Sequence, residues 1–182
     1  MKINARNLSV CFILAVLALA TAGCSSQRRT TKRSETIAER TRHDKETALK
    51  VEKGLKDHEK MVIEEAFTWM GTPYEFGRQD KGVATDCSGM VKLVFECIGC
   101  ELPRNSAKQA EFCEEISRHH IKPGDLVFFI TNSGNRINHV GIMIDELQFI
   151  HASSKGVIIS SMETSYYQKH FQKYCRVPGM KH

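Results

Sequence analysis

"ATDCSGMVKLVF", residues 84–95, sets a cysteine between an aspartate and a serine, directly ahead of an apolar run with helical spacing. Cys87, Val91, Val94 and Ile98 fall on one face at intervals of four, three and four. Cys87 therefore reads plainly as the first core residue of a helix running to about Ile98. It also has a second reading. Asp86 or Thr85 offers an N-cap, which puts Cys87 in the first turn. Unpaired N–H groups and the helix dipole favour a thiolate there and are expected to lower its pKa. Gly89 thins the same turn, so another element can approach closely.

Upstream, "KMVIEEAFTWM" has apolar residues at Met61, Val62, Ala66, Trp69 and Met70, a helical stripe that Gly71 ends. A long polar loop, "GTPYEFGRQDKGVATD", leads to Cys87. Downstream, "LPRNSAKQAEFCEEISRH" predicts a second helix from about Ser106 to Ser117. The period then changes. "LVFFI", "NHVGIMI", "QFIHAS" and "VIISSM" read as strands separated by "TNSGNRI", "DEL" and "SKG". "SYYQKHFQKY" reads as a short helix and "CRV" as a last strand. Helices followed by an antiparallel meander make an α+β pattern, with N-terminal helices packed on a sheet.

A thiol nucleophile needs a base, and the base needs an orienting group. Of eight histidines, His139 and His151 alone lie inside apolar strands. On "NHVGIMID", His139, Gly141 and Met143 share one face; on "QFIHAS", Phe149, His151 and Ser153 do. If the "DEL" turn pairs Ile144 with Gln148, His151 lies opposite Gly141 and diagonal to His139, roughly 7–8 Å away and within side-chain reach. A shorter turn would split the pair across the sheet. In that register Gly141 leaves room for the helix N-terminus. Either histidine alone could be a satisfied core residue.

The first 24 residues differ from the rest. Lys2 and Arg6, the apolar run "LSVCFILAVLALA" and "TAGC" have the layout of a secretory signal. The run is too short to span a bilayer comfortably. Ala22, Gly23 and Cys24 make the segment resemble a bacterial lipoprotein signal, with Thr21 where leucine is commonest. On that resemblance residues 1–23 are removed and Cys24 is lipidated. Loss of Lys2 and Arg6 takes the net charge from +5 to +3. That is too mild to argue for nucleic acid and suits an anionic envelope surface. Residues 24–58 are charged and poor in large apolar side chains, and read as a disordered tether. The folded domain is expected over 59–182.

Five cysteines then remain: Cys87, Cys97, Cys100, Cys113 and Cys175. An odd number in an exported protein leaves a thiol free. "CIGC" has redox spacing but closes a predicted helix instead of opening one, so Cys97 and Cys100 read as buried or structural. No second pair of ligands matches it for zinc.

"GTPYEFGR", "DCSGMV", "LPRNSAKQA", "KPGDLVFF", "NHVGIMI" and "FIHASSKGVIIS" together resemble the NlpC-type cell-wall endopeptidases, papain-like bacterial cysteine peptidases, over about residues 59–178. The resemblance implies a papain-like α+β domain, with Cys87 as nucleophile, His139 as base and His151 as the group that orients it. It implies that Tyr74 lines the cleft and that Asp86 and Ser88 help bind the stem peptide of peptidoglycan. Neither metal nor other cofactor is implied. One departure is Arg78, which stands where the family often has a second glycine. With the lipid on Cys24, the expected location is the bacterial envelope, outside the cytoplasm, anchored to the membrane and facing the periplasm, with the outer membrane favoured. A papain-like amidase or acyltransferase would use the same trio. A wall-binding scaffold lipoprotein would need none of it.

Overall fold

The computed structural model describes residues 57–180, together with Glu39 and Arg42, which are helical and exposed. The chain divides into two units, residues 1–46 and 47–182. The expected signal, the lipidation at Cys24 and most of the expected tether lie outside the described residues. All that follows concerns the second unit.

The helix α1 spans Asp57–Phe67, with acids Asp57 and Glu59 in the first turn, where the dipole favours them. It buries Val62, Ile63 and Ala66. Met61, expected in the core, is exposed, because Ile63 takes the inward position. Trp69 lies buried beyond the helix end, and its indole N–H donates to Glu65 (3.0 Å). Gly71 follows with φ +79°, a left-handed conformation that suits glycine.

The long loop is less irregular than the sequence suggests. A small ribbon, β1 (Gln79–Asp80) against β2 (Ala84–Thr85), lies within it. Helix α2 spans Cys87–Glu96 and buries Cys87, Met90, Val91, Val94 and Phe95. Helix α3, Ser106–Phe112, is capped by the Asn105 side chain, which accepts from Lys108 N–H (2.9 Å). It stops a turn and more before the expected end at Ser117. Glu114–Ile116 instead extend as β3 and pair with the last strand. A single 3-10 turn, Arg118–His120, follows.

The remaining strands are β4 (Leu126–Phe129), β5 (His139–Met143), β6 (Gln148–Ser153) and β7 (Gly156–Ser161). Helix α4 (Ser165–His170) then leads straight into β8 (Phe171–Arg176). "FQKY", expected in the helix, is therefore strand. The antiparallel sheet runs β3-β8-β4-β5-β6-β7, so a meander is completed by a last strand that returns to β4. Asp125, fully buried ahead of β4, accepts from Arg176 Nε and Nη2 (2.8 and 2.7 Å) and fastens that return.

Strand alternation divides the core in two. Leu126, Phe128, Val140, Ile142, Ile150 and Ala152 meet α1 and α2 on one face. Val127, Phe129, Met143, Phe149 and Tyr174 form a second cluster on the other, joined by Tyr167 of α4.

Candidate active site

Cys87 opens α2, and Asp86 caps it: the carboxylate accepts from Gly89 N–H (2.7 Å). Of the two capping residues the sequence offers, the structure uses Asp86. Gly89 permits a close approach, since a Cβ there would sit 2.7 Å from the Arg78 carbonyl oxygen. The first turn delivers the sulfur to an opening in the sheet. Ladder pairing between β5 and β6 joins Met143 to Phe149 and Ile142 to Ile150 and stops there. Continued, it would join Val140 to Ala152. Beside Val140 lies Cys87 Sγ, 3.9 Å from the Asn138 carbonyl oxygen and accepting from the Val140 N–H. Backbone N–H groups of Ser88 and Cys87 point to the same sulfur.

His139 stands between those two backbone contacts, on the other face of β5. The register is the one the "DEL" turn was expected to set, with Ile144 N–H donating to the Gln148 carbonyl (2.9 Å). His139 Nε2 and His151 Nδ1 lie 2.7 Å apart, and one carries the proton they share. His151 Nε2 is 2.9 Å from Ser160 Oγ and 3.2 Å from Tyr167 Oη. Phe149 packs tilted against His151 (ring centroids 4.9 Å apart, 41°), and Phe129 flanks His139 (6.0 Å). The space at Gly141, expected to admit the helix N-terminus, is filled by the Phe149 ring. A Cβ there would meet Phe149 Cδ2 at 2.5 Å. The helix packs on the opposite face, and its first turn meets β5 at the backbone of residues 138 and 140, on either side of His139.

Burial governs both the Cys87 thiol and the His139 imidazole. It pushes the Cys87 thiol up to about 11, against smaller downward pulls from the surrounding N–H groups. The expected lowering at a helix start is therefore outweighed in the free protein. Burial takes His139 down to about 4. It also takes His151 well below its ordinary value, with the His139 charge adding to the effect.

Asp86 and Ser88 turn inward. Arg104 Nη1 and Nη2 donate to the two Asp86 oxygens (2.9 and 2.7 Å), and Gly77 N–H donates as well (2.8 Å). Burial works to raise the Asp86 pKa, but the bonds from Arg104, Gly89 and Gly77 prevail and hold it low. Ser88 Oγ donates to Asp86 and accepts from Arg104 Nη1 (3.1 Å). The buried Gln109 amide donates to the Ser88 and Pro103 carbonyls, tying α3 to the start of α2.

A cleft of about 390 Å³ opens over the histidines, lined by Tyr74, Thr131, His139, His151, Ser153 and Tyr166. Tyr74 is partly exposed there. Burial raises its pKa, with the Cys87 and Asp86 charges contributing. A second cavity of about 370 Å³ lies around Glu115, Phe171, Lys173 and Tyr174, away from Cys87 and without a cysteine or histidine in its lining. The other described cysteines are free: Cys113 and Cys175 are buried, Cys97 and Cys100 half-buried.

The structure thus brings Tyr74, His139 and His151 to one cleft and sets Cys87 against the backbone on either side of His139, with Asp86 and Ser88 turned inward next to it. Arg104, Ser160 and Tyr167 were not anticipated. Ser160 could have been, because the short "SKG" turn sets His151 opposite Ile158 and puts Ser160 on its diagonal.

Comparison with known proteins gives a consistent picture. Residues 71–176 match the model of the NlpC/P60 family. The chain is 43% identical over 112 residues to a probable endopeptidase NlpC of Escherichia coli, covering 60% of this chain and 72% of that protein. It is 42% identical over 123 residues to a murein DD-endopeptidase/murein LD-carboxypeptidase, MepS, of the same organism, covering 66% of this chain and 64% of that one. Among solved structures, a lipoprotein-like NLP/P60 protein of Staphylococcus aureus superposes with a TM-score of 0.62 at 31% identity, over 68% of this chain and 42% of its own.

Proposed function

The chain belongs to the NlpC/P60 family, and from that premise we propose that it is a cysteine peptidase that hydrolyses a peptide bond in peptidoglycan. The observation that carries this reading is the delivery of Cys87 to the strand segment 138–140, beside the His139–His151 pair. Relatives named as murein endopeptidases support the substrate class.

In this mechanism the Cys87 sulfur attacks a stem-peptide carbonyl and forms a thioester. Its proton passes to His139 Nδ1, the ring nitrogen that His151 leaves unused. His139 then gives the proton to the leaving amine, and later takes one from the water that hydrolyses the thioester. The first half-reaction ends with the sulfur held in the thioester and the imidazole neutral again; the second frees the acid, returns the proton from His139 to the sulfur and restores both groups. The N–H groups at the start of α2 already point at the sulfur, so they are the nearest donors for the tetrahedral oxyanion, with the Tyr74 hydroxyl a side-chain candidate.

The test is mass analysis of purified peptidoglycan fragments after digestion. Cys87→Ala should abolish cleavage with the fold intact, and His139→Ala should be nearly as severe. His151→Ala, losing only orientation, should keep about 1% of activity. The three losses should not add. Turnover by Cys87→Ala would overturn the reading.

The second part of the proposal is location. The signal layout and Cys24 support a lipoprotein held in the bacterial envelope, periplasmic and at the outer membrane, with residues 24–58 as tether to the domain. Metabolic labelling with a fatty-acid analogue should mark the wild type and not Cys24→Ala. Equal labelling of both would refute it.

A further inference from the structure

We propose that Ser160 and Tyr167 are positioning residues that hold His151 in the tautomer protonated at Nε2, keeping its Nδ1 lone pair for His139. The inference rests on the reading of Cys87, His139 and His151 as the reaction centre and extends it one layer outward.

A neutral imidazole carries one N–H, so two proton arrangements satisfy the 2.7 Å contact between His139 and His151. In the first, His139 Nε2–H donates to His151 Nδ1, and His139 Nδ1 is a lone pair that can take the thiol proton. In the second, His151 Nδ1–H donates to His139 Nε2. His139 Nδ1 then already bears hydrogen and cannot act as base. Only the first arrangement works. When it does, the S–H bond of Cys87 breaks and an N–H bond forms at His139 Nδ1. His139 then carries both protons and one positive charge, while His151 gains no proton and remains the acceptor.

The working arrangement puts a hydrogen on His151 Nε2, which needs an acceptor because His151 is only 1% exposed. Ser160 supplies one. Its hydroxyl donates to Tyr167 Oη (3.4 Å), which leaves an Oγ lone pair for His151 Nε2 at 2.9 Å. Tyr167 Oη is a second acceptor at 3.2 Å. The tyrosine ring is itself fixed, edge-on to Phe149 (4.9 Å, 89°) and to His151 (5.5 Å, 86°). Without the two oxygens, the working tautomer would bury an unpaired N–H and the idle tautomer only an unpaired lone pair. The balance would shift to the idle form.

The experiment is heteronuclear NMR of the full chain labelled with nitrogen-15 histidine, with kinetics on peptidoglycan fragments alongside. In the wild type, His151 should show an unprotonated Nδ1 and a protonated Nε2. In Ser160→Ala/Tyr167→Phe the two signals should move toward each other or exchange. The turnover number should fall about a hundredfold, the lower end of general acid–base effects. Ser160→Ala alone should lower kcat and leave KM unchanged, and Ser160→Thr should restore kcat. If the double variant does not fold, Ser160→Ala is read by the same signals. In a His151→Asn background the amide oxygen accepts from His139 with no tautomer to choose, so removing the hydroxyls should cost nothing further. An unchanged tautomer in the double variant, or an equal loss in the His151→Asn background, would overturn the proposal. The tautomer signal does not depend on turnover. Activity in Cys87→Ala would sink the peptidase reading, while the signal would still decide the role of Ser160 and Tyr167.

Discussion

Adjacent residues, Asp86 and Cys87, are both buried and resolve their burial in opposite ways. Cys87 and His139 stay neutral, with pKa values pushed to about 11 and about 4 by loss of water. Asp86 keeps its charge, because Arg104 grips both oxygens and two backbone N–H groups complete the shell. In the proposed mechanism the neutral pair passes a proton when a carbonyl arrives; the charged pair fixes the turn that presents the sulfur. Arg104→Met should leave a carboxylate buried without its cation. Removing one partner of a buried pair costs about 3–5 kcal/mol, and about 2 is expected here because Arg104 is partly exposed. Urea unfolding measures it. A loss indistinguishable from zero would mean that Asp86 is held by the backbone alone.

At the scale of elements, the sheet face with the histidines is built on aromatic rings. Phe149 fills the void at Gly141 and carries His151, and Phe129 closes the other side. Gly141→Ala should push the Phe149 ring off His151 and destabilise the domain by about 1–3 kcal/mol, the usual cost of overpacking. A crystal structure of the variant with Phe149 unmoved would contradict this. The same face marks where sequence reading succeeded and failed. Strand parity and the length of the "DEL" turn were enough to set His139 diagonal to His151, because a period of two leaves little freedom. The packing partner of Gly141 was not legible: a glycine in a strand says that something comes close, not from which side. Likewise "CEEIS" continued a helical pattern, yet Glu114–Ile116 became an edge strand because β8 returned to pair with them. Local sequence carries no sign of a partner some 60 residues away. Arg104 escaped notice for the same reason, as its meeting with Asp86 depends on how α3 folds back.

For the whole molecule, these shifts define a pH window of stability. His139 binds a proton near pH 6.5 when unfolded and near 4 when folded. Its contribution is complete above about 6.5 and is lost as pH falls toward 4, with His151 adding in the same direction. Cys87, ordinarily near 9.0, folds with a value of about 11, and Cys113 with about 12. Their contribution is complete below 9 and is lost as pH rises through 11 and 12. Urea midpoints should therefore form a plateau between about pH 6.5 and 9 and fall on both sides. His139→Gln/His151→Gln should flatten the acid slope between 6.5 and 4. A wild-type midpoint level across that interval would contradict the assignment.

The opening between β5 and β6 has one more consequence. On the strand side, the sulfur is met by a carbonyl of residue 138 and an N–H of residue 140, groups that every amino acid but proline possesses. Substitution can change the side chains at both positions and still leave these contacts in place. Asn138 spends its own amide on Thr131, and Val140 spends its methyl groups in the core. The seat of the Cys87 sulfur is thus largely immune to sequence drift at the positions that form it, and only proline at 140 would remove the N–H outright.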